Sequence, residues 1–248
     1  MAIPENYHLV FEDDFNGDRL DLNKWHIIHR KEGIGFVDEC QVSLSDGCVH
    51  LSGAYKDGPQ GPGWYTGDIR TNKRFTRGYF EARLKAAVCL ESYQSYWSAF
   101  WLQAQHPYEA EISRGGIGGA EIDILEIAVA PDGRPMAETN IHVAGMKNSP
   151  ANQEKKELDS HLVRRTVVPD ADKAFHTYAC LWDEDKYAFY IDGVRLAVSA
   201  WGDGVSEAGD EVCLSLCLPG VEKMPRDFTC RFDIDYVRVY QKDGDRIE

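Results

Sequence analysis

The chain has 248 residues, with 27 Lys plus Arg against 41 Asp plus Glu and a formal net charge of −14. With 43% hydrophobic and 11% aromatic residues it can bury a full core, which excludes a disordered chain. No apolar run reaches the roughly 18 residues of a membrane helix. The acid excess counts against nucleic acid, anionic lipid and sulfated polymers, whose binding needs clustered Lys and Arg, so a neutral or cationic partner is expected.

From the N-terminus onward the pattern is one of short alternating segments rich in Val, Ile, Tyr, Phe and Trp, separated by turn residues. Strands are predicted over 7–12, 48–52, 78–84, 96–102, 120–128, 138–144, 174–182, 186–191, 194–200, 211–218 and 230–241. Asp46-Gly47, ahead of 48–52, and Asp192-Gly193, between 186–191 and 194–200, are two-residue hairpin signals. The Gly- and Pro-rich stretch 58–64 reads as a loop, which places Trp64 either on a cleft rim or simply exposed. So many strands without intervening helices exclude an α/β parallel sheet and leave an all-β sandwich or barrel. No repeat or linker divides the chain, so a single domain over 1–248 is expected.

The segment 120–127 reads Ala-Glu-Ile-Asp-Ile-Leu-Glu-Ile. Acidic residues are depleted in strands, so three in one strand need a reason. Glu121 and Asp123 share a face, with Ile122 and Ile124 on the other. In a regular strand Glu126 would point into the core. A β-bulge near Ile124-Leu125 returns it to the acidic face and leaves Leu125 and Ile127 packing inward. The two glutamates would then stand about 13 Å apart at their Cα atoms. Leaning toward each other, they could bring their carboxyls to the ~5–5.5 Å used by retaining glycosidases. A solvated acidic face, or an edge strand guarded by charge, fits the same spacing.

Glu121-Ile-Asp123-Ile-Leu-Glu126 resembles the E-x-D-x-x-E signature of glycoside hydrolase family 16, in the bulged form of laminarinase-like members. Other segments resemble the family in the same order: Phe11 to Gly17 with Lys24-Trp25, Tyr65 to Thr71, Gly78 to Arg83, and Trp97 to Trp101. Phe175 to Trp182, Ile191 to Gly193 and Asp235 to Tyr240 complete a resemblance that covers nearly the whole chain. It implies a concanavalin A-like β-jelly-roll sandwich with a concave cleft, and a retaining endo-β-glycanase mechanism. By matching positions Glu121 is the nucleophile, Glu126 the acid/base and Asp123 the assisting carboxylate. The expected substrate is a neutral β-1,3- or mixed β-1,3-1,4-glucan. Another linkage of the family (endo-β-galactosidase or transglycosylase activity), or a non-catalytic carbohydrate-binding module on the same sandwich, is the alternative.

Around the trio, Trp97, Ala99 and Trp101 alternate onto one face, which suits either stacking on sugar rings or a packed core. Asp68 and Arg70 share a face, and the resemblance places both on the glycone side of the cleft; a surface ion pair is the plainer reading. His142 matches a family histidine near the acid/base, though a lone strand histidine is often only hydrogen-bonded. A catalytic metal is not expected, because no HExxH or two-metal spacing accompanies the acids. The resemblance does imply a structural Ca²⁺ on the convex side, held by Asp14, the Gly47 carbonyl and Asp235. Seven cysteines without a CxxC read as free thiols. With no signal-peptide pattern at the start, they point to a cytoplasmic protein, or to one whose signal has been removed. A monomer is expected, with no nucleic-acid or membrane partner.

Overall fold

The structure is a computed structural model and describes residues 3–104, 116–144 and 158–248. Period-two alternation builds its strands. In Gly78–Lys85, Phe80, Ala82 and Leu84 are fully buried, while Glu81, Arg83 and Lys85 point to the other face. The two hairpin signals form as expected. Asp46 and Gly47 take φ of 53° and 71°, and Asp192 and Gly193 take 48° and 75°. Positive φ at both central residues matches the twist of the paired strands, here closed by Ser45↔Cys48 and Ile191↔Val194.

Among the described residues the strands form an eleven-stranded and an eight-stranded sheet. The larger runs from Val194–Ser199 through Tyr187–Ile191, His176–Trp182, Gly78–Lys85, Thr229–Gln241, Cys48–Gly58 and Gly61–Thr66 to Gly35–Val37 and Arg30–Glu32. The smaller runs from Asp159–Val167 through Pro135–Val143, Ala120–Val129, Trp97–Ala104, Asp210–Cys217 and Asp68–Thr76 to Arg246–Ile247. Val49, Leu51, Phe80, Leu84 and Ile234 of the first sheet share one core with Ile69, Phe100, Leu102, Ile122 and Leu214 of the second. The architecture is the expected all-β jelly-roll sandwich. All seven cysteines are free.

The stretch around Trp64 departs from expectation. Gly61–Thr66 is a strand paired with Cys48–Gly58, and Trp64 is 1% exposed. Its ring packs edge-on against Tyr55 and Tyr96, at 5.4 and 5.9 Å between centroids. Trp64 is therefore a core residue and not a cleft-rim platform. Only Pro59 and Gln60 form a turn, closed by the Gly58↔Gly61 pair with Gly61 at a φ of 97°, whereas Gly58 and Gly63 also serve close packing. A Cβ on Gly58 would collide with the Tyr65 ring, and one on Gly63 would lie 2.9 Å from the Phe36 ring.

Candidate active site

The acidic strand Ala120–Val129 lies between Trp97–Ala104 and Pro135–Val143 in the smaller sheet. Its pairing slips by one residue where the six-residue motif requires it. Trp101 faces Asp123 while Phe100 faces Leu125, so Ile124 is the extra residue. On the other side Asp123 faces Asn140 and Glu126 faces Glu138, with the same slip between them. Ile122, Ile124, Leu125 and Ile127 all join the core. Glu121, Asp123 and Glu126 line one wall of a cavity of about 180 Å³, with Trp97, Ala99 and Trp101 beside them. Ala99 is the residue opposite Glu126, so the small side chain leaves room in front of that carboxyl.

Each carboxyl is held differently. Glu126 accepts from Trp97 Nε1 at 3.1 Å and from Asn140 Nδ2 at 2.7 Å. Glu121 Oε2 accepts from Gln103 Nε2 at 3.2 Å, and Gln103 Oε1 accepts from Arg70 Nη1 at 2.6 Å. Arg70 also forks onto both oxygens of Asp68, at 3.2 and 3.1 Å, and lies over the Trp101 ring at 4.9 Å. Asp123 Oδ2 sits 2.9 Å from His142 Nε2, and His142 Nδ1 is 2.6 Å from Ser160 Oγ. A Ser160–His142–Asp123 relay thus runs in from the neighbouring strand, and it reaches Asp123 rather than Glu126.

Desolvation dominates the electrostatics. Burial, with the Asp123 charge next, pushes Glu121 up to about 7, while His142 and the Gln103 hydrogen bond pull the other way. Burial and then the Glu126 charge hold Asp123 well above the ordinary aspartate range. Burial also raises Glu126, against the donors Trp97 and Asn140. The three titrate as a unit in which the carboxyls cannot all be ionised at neutral pH. Glu121, Asp123 and His142 also bring donor atoms within 4.8 Å of one another, as the ligands of a metal would. His142, however, is already committed on both ring nitrogens, so the group reads as a proton network.

The structure thus brings Glu121, Asp123, Glu126, Trp97, Trp101, Asp68, Arg70 and His142 together, and takes Trp64 away. Gln103 and Asn140 were missed, although each has a signal in the sequence. Gln103 continues the Trp97–Ala99–Trp101 alternation by one step, and Asn140 is two residues from His142 on the same face. Two of the expected Ca²⁺ ligands, Asp14 and Asp235, are each engaged by an arginine. Asp14 Oδ1 accepts from Arg238 Nη2 at 3.0 Å, and Asp235 is paired with Arg83. A cation there would share these two carboxylates with guanidinium groups.

A family model described as Beta-porphyranase A-D, GH16 domain, matches residues 9–208. The chain belongs to glycoside hydrolase family 16. Among curated relatives, this family 16 chain is 28% identical to β-porphyranase B of Phocaeicola plebeius over 226 residues, 77% of this chain and 68% of that one. It is 27% identical to the endo-1,3-1,4-β-glycanase ExsH of Rhizobium meliloti over 232 residues, covering 90% of this chain but 44% of the relative. The laminarinase catalytic domain of Thermotoga maritima MSB8 shares the fold, with a TM-score of 0.71 at 20% identity over 96% of this chain and 99% of that one.

Proposed function

We propose that this family 16 chain is a retaining endo-β-glycanase acting on a neutral β-1,3- or mixed β-1,3-1,4-glucan. The observation that carries the reading is the bulge at Ile124, which sets Glu121, Asp123 and Glu126 on a single cavity wall. A carbohydrate-binding module would have no use for three desolvated carboxyls with raised pKa values.

In this mechanism Glu121 attacks the anomeric carbon while Glu126 protonates the departing glycosidic oxygen. Glu126 then removes a proton from the water that releases the glycosyl-enzyme. Asn140 suits both halves of the cycle. Its amide N–H supports the Glu126 carboxylate, and a half-turn of the amide presents its oxygen to the protonated form. Asp123, holding its proton, supports an ionised neighbour instead of repelling it. Trp97 and Trp101 supply flat walls for sugar rings.

The neutral-substrate reading rests on how the cations are engaged. Arg30, the one cation lining the cavity among the described residues, donates to Glu32 at 2.9 Å and to Asp68 at 3.2 Å. Arg70 beside it is committed to Asp68 and Gln103. Both guanidinium groups therefore already donate to protein acceptors with which a sulfate group would have to compete. Porphyran cleavage is the second reading, favoured by the family model and by the porphyranase relative.

Incubation with laminarin, mixed-linkage β-glucan, porphyran and agarose, with linkage analysis of the products, separates the two. The expected result is internal cleavage of one of the β-glucans, with an early fall in viscosity. Cleavage of porphyran alone would overturn the substrate, and cleavage of none would overturn the activity.

A further inference from the structure

Pairing along the sheet sets Glu138 directly opposite Glu126, and sets Arg165 opposite Glu138 on the next strand. Directly opposed residues share a face. The Glu138 side chain therefore stands beside that of Glu126, about one strand spacing of 4.8 Å away. Like charges so placed destabilise a sheet. Glu138 is also only 4% exposed, which leaves little water to screen it.

The carboxylate is nonetheless held firmly. Tyr93 Oη donates to Glu138 Oε2 at 2.6 Å, and Arg165 Nε donates to Oε1 at 2.6 Å. Tyr93 takes a positive φ of 56°, uncommon for a bulky residue, and its ring meets Trp97 edge-on at 5.4 Å. Trp97 in turn donates to Glu126. Glu126, Trp97, Tyr93 and Glu138 thus form a closed circuit. A structural Glu138–Arg165 pair would need neither the phenol nor a second carboxylate opposite.

We infer that Glu138 is a positioning residue for the reaction, a fixed negative charge set against Glu126 that keeps the proton on the acid while Glu121 is ionised. The inference rests on the acid/base role proposed above for Glu126. Glu121 and Asp123 on its own strand face Glu126, as do His142 on Pro135–Val143 and Cys217 on Asp210–Cys217. Tyr93 faces it from the loop before Trp97, and Arg165 lies behind Glu138. The charges of Glu121 and Glu138 favour the protonated acid, whereas His142, Trp97 and Asn140 favour the carboxylate. Of these two charges, Glu138 alone has no part in the bond changes proposed above. Its charge can be removed while the reacting groups stay in place.

Glu138→Gln keeps the shape and removes the charge. Carboxyl ¹³C NMR of glutamate-labelled protein, with Glu126 identified by the signal lost in Glu126→Gln, reads the titration midpoint without any turnover. The pH profile of kcat/KM on laminarin reads the basic limb. Both are expected to fall by about one pH unit, the scale of two charges one strand apart with Arg165 offsetting part of the effect. Glu138→Asp should restore both toward wild type. Tyr93→Phe, at a position 39% exposed, loosens the carboxylate without opening the core and should shift both in the same direction by less. An unmoved midpoint in either folded variant overturns the inference, as does a uniform loss of activity with the limb in place. A lowered midpoint in a protein that cleaves no polysaccharide would instead overturn the acid/base reading of Glu126.

Discussion

Trp97 turns its indole N–H toward Glu126 and its ring toward Tyr93 while still lining the cavity, whereas Trp64 is enclosed by Tyr55 and Tyr96. Truncating each should therefore fail in a different way. Trp64→Ala removes a buried ring, at a cost of about 3–5 kcal/mol, and should lower Tm by roughly 10 °C with KM unchanged. Trp97→Ala should weaken oligosaccharide binding and kcat together while moving Tm much less. Thermal melts and Michaelis curves on the two variants check the contrast, and the reverse pattern would exchange their roles. The same comparison shows what could be read at single residues. Side-chain alternation put Trp97 with Trp101, and Asp68 with Arg70, on shared faces, because a strand fixes which face each residue takes; it was the family resemblance that turned Asp68 and Arg70 toward the cleft. Trp64 was misread because Gly and Pro were given only their turn meaning. Gly58 and Gly63 are there because neighbouring rings occupy the space a Cβ would need.

The acidic strand is where an element decides chemistry. With Ile124 as the extra residue, Glu121 and Glu126 are separated by an even number of effective steps, and both face the cavity. Deleting Ile124 keeps that parity, so the variant should lose core packing but hold activity to within about tenfold, roughly 1.4 kcal/mol of barrier. Deleting Ile124 and Leu125 together turns Glu126 into the core and should abolish both activity and a cooperative melt. A single deletion that inactivates while the double deletion survives would contradict the bulge account. All eleven segments predicted from alternation appear as strands, from His8–Asp13 to Thr229–Gln241, because each carries its own apolar period. Trp25–Ile27, Arg30–Glu32, Gly35–Val37 and Arg246–Ile247 are two or three residues long, too short to show a period, and depend on their neighbours for pairing. Asp159–Val167 is longer, but it lies at a sheet edge and alternates only between half-buried and exposed residues, so its sequence lacks an apolar face.

Across the whole molecule, which carries a net charge of −14, one sheet supplies the core backing and the other presents the acids, and Arg30, which lines the cavity, is paired with Glu32 and Asp68. Register across strands was beyond the sequence. It is register that pairs Glu126 with Ala99 on one side and Glu138 on the other, and Glu121 with Gln103 and His142. The central claim is that Glu121 attacks and Glu126 carries the proton. It is tested most directly by the anomer formed when azide is supplied to the Glu126→Ala enzyme with an activated aryl β-glycoside. Attack of Glu121 leaves an α-linked glycosyl-enzyme, and azide then displaces it from the opposite face. A β-glycosyl azide, read by proton NMR, is the predicted product; an α-glycosyl azide from this variant would show that Glu126, and not Glu121, is the nucleophile.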